Sequence, residues 1–371
     1  LGKVRSAIPK SKLSKDHPFF LKILQEEKLI SDLGGHSVAA YVRNDPKIED
    51  SYKSFKRFVT PCPARHDAWH KVAQDFKKIL HMYCRNSRVL TADEALNGMV
   101  KTTTPGYPFD CLVADKGSIF EKDPKLAEVA WDELKAGVWR IIGRLRPKKE
   151  KLPREKVIDL LTRKLRTILG IDGISILMGR MLCADFNENF RAAGFKIGNA
   201  AGFTPYKLGV HKLAMHWSVH ENGYELDASN FDASMPYDFM MLMAETRWEC
   251  LRKEDQTWDN KMRLRNFYHC LSVMPVVFDD GCVFLKLFGN PSGQNSTMDD
   301  NTAFMIFCML YAWVRLTLRA AIEMFKYVRM GIIGDDNSGT IASEVYGMFN
   351  HKSIALICLA ELGVEFKSPD W

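Results

Sequence analysis

The feature that most restricts this chain is a pair of adjacent carboxylates, Asp335 and Asp336, in IIGDDNSG at residues 332–339. The apolar Ile332 and Ile333 ahead of them, with Gly334 between, predict two short strands bent at a tight turn. Two bare carboxylates side by side repel and raise each other's pKa, which destabilises the turn unless a cation sits there. Two further motifs precede it. In DASNFD (residues 227–232), Asp227 ends a strand-like run and Asp232 follows five residues on, where the chain turns. In SGQNSTMDDN (residues 292–301), a turn at Ser292 and Gly293 enters a helix that sets Thr297 and Asn301 on one face, four residues apart. Each motif alone has a structural reading: Asp227 and Asp232 as a turn and a helix cap, SG as a turn, GDD as a hairpin turn. Their order and setting agree on one chemistry. Mg²⁺ is the natural occupant, because it takes a few hard oxygen ligands and leaves positions open for water and substrate phosphates.

Around these motifs the pattern is mixed α/β. Trp69, Val72, Phe76, Ile79 and Tyr83 recur at spacings of three and four after Pro63 and predict an amphipathic helix. Leu126, Val129, Leu134, Val138, Ile141 and Ile142 predict a second. Between them, Pro105, Gly106 and Pro108 make residues 101–110 a loop. After Gly223, the alternation in YELD (residues 224–227) predicts a strand, and residues 274–287 predict a hairpin around Asp279, Asp280 and Gly281. Residues 302–325 predict one helix, and residues 327–339 the two strands bent at GDD. No repeat or flexible linker separates these stretches, so subdomains are expected to interleave along the chain.

Composition narrows the class. A chain of 371 residues with 46% hydrophobic and 26% charged residues builds two or three packed units, not a disordered or collagenous one. Nine cysteines without a CxxC pair argue against a disulfide framework or a zinc ribbon and for a reducing compartment. The longest apolar run, residues 303–314, falls short of the ~20 residues that cross a bilayer, so it predicts a buried helix and no transmembrane segment is expected. The opening LGKVRSAIPKSK lacks the apolar core of a secretory signal, and a first residue other than Met marks a processed product or an excised fragment. His211, His216 and His220 include pairs four apart, but no nearby Cys or carboxylate completes a zinc set, so ordinary polar positions are expected.

The formal charge of +7 is local. Residues 144–166 hold ten basic side chains (Arg144, Arg146, Lys148, Lys149, Lys151, Arg154, Lys156, Arg163, Lys164 and Arg166) and three acidic ones, an excess of seven that equals that of the whole chain. Such a cluster suits a phosphate-bearing partner; a solvated helix face is the alternative.

In the order D-x4-D, SG-x3-T-x3-N and GDD, the three motifs resemble motifs A, B and C of the RNA-dependent RNA polymerases of positive-strand RNA viruses. TTTPGYPF (residues 102–109) is similar to motif G of the template channel, and LRPKKEK with RKLRTI (residues 145–151 and 163–168) to motif F. GFTPYKLGVHKL, DFNENF and GNPSGQNSTMDDNT look most like the picorna-like supergroup, near potyvirus and astrovirus polymerases. Ile333 stands where many members carry Tyr.

The resemblance implies a right-hand polymerase fold of the α+β kind: fingers over residues 1–220 and 241–288, palm over residues 221–240 and 289–371, and the thumb missing. It implies template-directed RNA synthesis from nucleoside triphosphates, replicating a positive-strand genome. Asp227, Asp335 and Asp336 would hold two Mg²⁺ ions, with Mn²⁺ as a substitute. Asp232 and Asn301, with Ser292 nearby, would recognise the ribose 2′-hydroxyl, and Thr297 would belong to the substrate-binding site. Lys164 and Arg166 would meet the triphosphate, and Gly293 would let the motif B loop move with the template. Lys367, in GVEFKSPDW, falls in a stretch like motif D, where a lysine would protonate the leaving pyrophosphate; an exposed surface lysine is the alternative. Partners would be template and product RNA, a protein primer and other viral replicase proteins, in membrane-associated complexes of the host cytoplasm. A reverse transcriptase is the rival enzyme, and Asp232 and Asn301 argue against it. The other alternative is a catalytically incomplete, polymerase-like RNA-binding fragment.

Overall fold

In the computed structural model, which describes residues 41–44, 46–59, 66–148, 151–153 and 165–367, the core forms around the helix Thr297–Thr317, whose residues 299 to 314 are all buried. A helix apolar on every side is stable only inside other elements, and here aromatic side chains close around it. Trp69 and Phe76 of the helix Ala68–Cys84 pack on Phe307 with ring centroids 4.7 and 5.6 Å apart. Phe239 of the helix Tyr237–Glu249 meets Phe304 and Phe307, and Trp313 stacks on Tyr327 and meets Phe349 edge to face. Burying each such ring contributes roughly 1.5–3 kcal/mol.

Among the described residues, ten strands form three sheets. β1 (Tyr41–Arg43) pairs with β3 (Lys151–Pro153). A second sheet, in the order β4-β2-β6-β7, joins β2 (Gly143–Pro147), β4 (Thr167–Gly170) and the hairpin β6 (Met274–Val277) and β7 (Val283–Lys286). The third, in the order β10-β5-β9-β8, is antiparallel throughout: β5 (Asn222–Ala228), β8 (Val328–Ile333), β9 (Asp336–Ile341) and β10 (Phe366–Lys367). The hairpins at residues 274–286 and 328–341 thus form where the turn residues predict them, with Gly281 and Gly334 at φ +84° and +64°.

Two helices end before their apolar period does. The second amphipathic helix is Leu126–Ala136, stopped by Gly137 in the left-handed conformation, and Val138 is exposed while Ile141 is buried outside the helix. The helix expected over residues 302–325 starts earlier, at Thr297, and ends at Thr317. There Leu318 turns left-handed and the axis bends by 104° before Ala321–Tyr327 resumes, with Trp313 Nε1 donating to the carbonyl of Ala320. Among the described residues no single helix is long and apolar enough to cross a membrane; only this bent pair has the composition, and its first helix is the buried core. The eight described cysteines are free thiols.

The core also holds charge. Arg247 donates to Asp300 at 2.7 Å with both side chains almost wholly buried, and lies 4.4 Å over the Phe186 ring. Tyr268 and Gln294 donate to the same carboxylate, at 3.0 and 2.9 Å. Lys286, fully buried, gives its ammonium to three carbonyls, those of Leu271, Ser272 and Gly289, and burial pushes its pKa well down. Removing one partner of a buried pair strands the other charge. Asp300→Ala is therefore expected to lower the unfolding free energy by about 3–5 kcal/mol, read from urea melts; a loss under about 1 kcal/mol would show that Arg247 finds water or another acceptor.

Candidate active site

Asp227 lies near the end of β5 with Asp336 directly across it on β9, and residues paired in this way project from the same face of a sheet. Asp335 sits in the turn before β9, where Gly334 takes its positive φ and donates its N–H to Thr302 Oγ1 at 2.9 Å. The turn thus hangs on the central helix. Partial burial raises the pKa of Asp335, and the nearby carboxylates of Asp336, Asp232 and Asp227 push it further up. The chain has two other adjacent Asp pairs, and both are answered. Asp299 and Asp300 pair with Arg191 and Arg247, and Asp279 and Asp280 with Arg144 and the Tyr52 hydroxyl. Among the described residues no Lys or Arg pairs with Asp335 or Asp336.

Among the described residues, Lys367 forms an ion pair with Asp227 of this cluster. Lys367 is the register partner of Asp227 from the other side, and its Nζ lies 2.6 Å from Asp227 Oδ2. Among the described residues no three His, Cys, Asp or Glu side chains form a closed metal cage. Mg²⁺ does not require one, since it combines one or two carboxylates with waters and substrate phosphates. Acceptor-only oxygens on neighbouring strands, crowded around Asp335, fit that ion.

The second motif joins the first. Asn301 Nδ2 donates to Asp232 Oδ1 at 2.5 Å, and Asp232 follows Asn230, which turns left-handed at φ +51°. Burial raises the pKa of Asp232, opposed by the hydrogen bond from Asn301 and by the charges of Arg57 and Arg166. Gly289 is held at φ +83°, and a Cβ there would lie 2.8 Å from the carbonyl oxygen of Asp232. The other residues of the motif face elsewhere. Thr297 Oγ1 donates to the carbonyls of Pro291 and Gln294, closing its own loop. Ser292 Oγ accepts from the N–H of Leu169, and the N–H of Gly293 donates to the Leu169 carbonyl, so the loop is docked on β4. A Cβ at Gly293 would sit 2.8 Å from Gly170 Cα, which explains this glycine by close approach and not by a special backbone angle.

The basic cluster divides. Arg144 is buried and donates to Asp110 and Asp279 at 2.7 and 2.8 Å, and Arg146 donates to Asp110 at 2.9 Å. These two clip residues 101–110 to the second sheet, so they are structural and not part of a free basic surface. Arg166 is exposed at the start of β4 and its charge is felt at Asp232. Lys149, Arg154, Lys156, Arg163 and Lys164 lie outside the described residues, as do Pro63 and the stretch from Ser368 to Trp371. His216 contacts the Met330 carbonyl and stacks on Phe195. Sequence reasoning missed Arg57, whose Nη1 donates to Asn230 at 2.8 Å, as well as Thr302, Asn290 and Gln294. Only the last three lie within a motif that could have signalled them.

A sequence profile for viral RNA-dependent RNA polymerases matches residues 37–370. The genome polyprotein of bean yellow mosaic virus is 31% identical over 310 residues, covering 81% of this chain and 10% of that polyprotein. That of papaya ringspot virus (strain P / mutant HA) is 26% identical over 307 residues, covering 79% and 9%. The chain thus spans about a tenth of the length of these relatives. Among solved structures, the Sicinivirus 3Dpol RNA dependent RNA polymerase superposes with a TM-score of 0.70 at 18% identity, over 89% of this chain and 70% of that one. The likeness is one of fold, a mixed α/β polymerase architecture.

The Lys367 contact makes a prediction about cations. If its ammonium is the counter-charge of Asp227, Lys367→Met should lower the Tm without divalent ions and enlarge the rise in Tm on adding Mg²⁺. Identical Mg²⁺ titrations for variant and parent would show that the pair is an exposed contact of no consequence.

Proposed function

The chain belongs to the viral RNA-dependent RNA polymerase family, and from that premise we propose that it is a polymerase core of a positive-strand RNA virus that joins nucleoside triphosphates on an RNA template. The observation that carries this reading is the placement of three carboxylates, Asp227 and Asp336 paired across one sheet and Asp335 in the turn beside them, close to the Asp232–Asn301 pair. Residues 1–220 and 241–288 are assigned to fingers, and residues 221–240 and 289–371 to palm. The two four-stranded sheets support that division, since one gathers strands from residues 143–170 and 274–286 and the other the motif-bearing strands.

The family uses divalent metal generally, and here Asp227 and Asp335, assisted by Asp336, would hold two Mg²⁺ ions, with Mn²⁺ able to substitute. When bound, such ions activate the attacking 3′-hydroxyl and stabilise charge developing on the phosphates. The protein's own groups do the rest. Asn301 holds one oxygen of Asp232, leaving the carboxylate able to accept from a ribose 2′-hydroxyl, the group that separates RNA precursors from DNA precursors. A polar site of this kind rejects an analogue that lacks the hydroxyl, because its buried groups then go unpaired. Arg166, close enough to act on Asp232, would bind the triphosphate, for which a planar guanidinium is suited; Lys164 is assigned beside it. Ser292, Gly293 and Thr297 shape and dock the loop beneath the nucleotide. Lys367 neutralises Asp227, and from that position it would also lie near a leaving pyrophosphate.

RNA and nucleoside triphosphates are the proposed ligands, with a protein primer and other replicase proteins as partners. Release from a genome polyprotein and work in membrane-associated complexes of the host cytoplasm complete the proposal; the polyprotein relatives support the first of these.

Asp335→Ala should abolish nucleotide incorporation and leave RNA affinity nearly unchanged, because the metal site acts mainly in the transition state. Incorporation within about tenfold of the parent would overturn the assignment. Arg166→Ala should raise the apparent nucleotide KM and make RNA binding less dependent on salt, each phosphate contact contributing about 0.7–0.9 to the log–log slope. Unchanged kinetics and slope would return this residue to a solvated surface.

A further inference from the structure

The hydrogen bonds behind Asn301 continue into the core. Asn290, fully buried in the loop before the central helix, donates Nδ2 to Asn301 Oδ1 at 3.0 Å and accepts at Oδ1 from Gln294 Nε2 at 3.0 Å. Its backbone N–H donates to the carbonyl of Asp232 at 2.7 Å. Gln294 Nε2 also donates to Asp300 Oδ2 at 2.9 Å, while its Oε1 accepts the N–H of Ser296 at 2.7 Å.

The direction of this relay is forced from both ends. An ionised carboxylate only accepts, and an amide shows a donor on one side and an acceptor on the other. Asp300, fixed by Arg247 and Tyr268, therefore selects the nitrogen of Gln294. That nitrogen gives its second proton to Asn290, which must present Oδ1 to it and keep Nδ2 for Asn301. Asn301 must then present Oδ1 to Asn290 and Nδ2 to Asp232, which is also acceptor-only. Turning over any one amide would set oxygen against oxygen or N–H against N–H in a buried site, where an unmade hydrogen bond costs about 1–3 kcal/mol.

We infer that Asn290 and Gln294 are positioning residues for sugar selection: they lock the amide of Asn301 with its donor on Asp232 and so set which carboxylate oxygen is left for the ribose. This rests on the reading of Asp232 and Asn301 as the ribose pair, and the test separates the two.

In Asn290→Asp the group facing Asn301 accepts only, so the Asn301 amide turns over and sets its oxygen against Asp232. The efficiency of ribonucleotide incorporation should fall about tenfold, while that for the matching 2′-deoxynucleotide stays within about twofold, because that sugar never used the pair. Asn301→Ala should show the same selective loss, and the double variant should lose no more than Asn301→Ala alone. Gln294→Met, which keeps shape and releases Asn290 Oδ1, should give a smaller loss of the same sign and tests the relay if Asn290→Asp does not fold. Equal losses on both sugars, or losses that add in the double variant, overturn the relay and leave Asn290 as a strut of the loop. A sugar ratio unchanged in Asn301→Ala overturns the ribose reading, and the relay with it.

Discussion

A carboxylate at the centre of the protein organises the residues around it. Asp300 is buried, and burial of a charge is tolerated only where partners answer it. Arg247, Tyr268 and Gln294 do so from the helix Tyr237–Glu249, the helix Trp258–Ser272 and the loop ahead of the central helix. These segments cannot shift independently without exposing an unpaired group. Its neighbour Asp299 ties the same turn to Arg191 of the helix Gly173–Ala193 by two hydrogen bonds. The first turn of the central helix is thereby held from several directions, and Asn301 and Thr302, which reach the carboxylates of the site and the GDD turn, are the next residues along it.

The second constraint is steric. The loop at Ser292 and Gly293 meets the backbone of Leu169 in β4 through the Ser292 hydroxyl and the Gly293 N–H, with glycine facing glycine at Gly293 and Gly170. Gly289 makes a similar approach to the backbone of Asp232 and Ala233. Two sheets and the central helix therefore converge where side chains are absent, which brings Arg166 at the head of β4 within electrostatic reach of Asp232.

What was legible in the sequence was local. The GDD turn, the hairpin at residues 274–286 and the helix through Trp69 and Phe76 follow from turn residues and apolar periods, which act over a few positions. The stop at Gly137 was obscured because apolar spacing runs on through Val138 and Ile141. The break at Leu318 has neither Gly nor Pro to announce it and depends on Trp313 and the packing beneath. Charge counting grouped Arg144 and Arg146 with Arg166, yet Asp110, which takes up the first two, lies 34 and 36 residues away. Arg57 carries no signal at all, since its partner Asn230 is 173 residues distant. In the candidate site, residue types were readable from motifs, whereas the direction of each hydrogen bond depended on neighbours supplied by the fold.

The pairing of Lys367 with Asp227 spans 140 residues, and this separation has a consequence for how the protein comes into being. A chain emerging from a ribosome at ~5–20 residues per second takes roughly 7–28 s to cover that interval. During it, β5 exists before either strand that will flank it, first β9 and then β10. Among the described strands, the acidic centre is the last to receive its basic neighbour, and non-local pairing of this kind is intrinsically slow. Vectorial synthesis therefore lays down the helix Thr297–Thr317 between β5 and the strands that flank it, so this sheet closes only after that helix has been made.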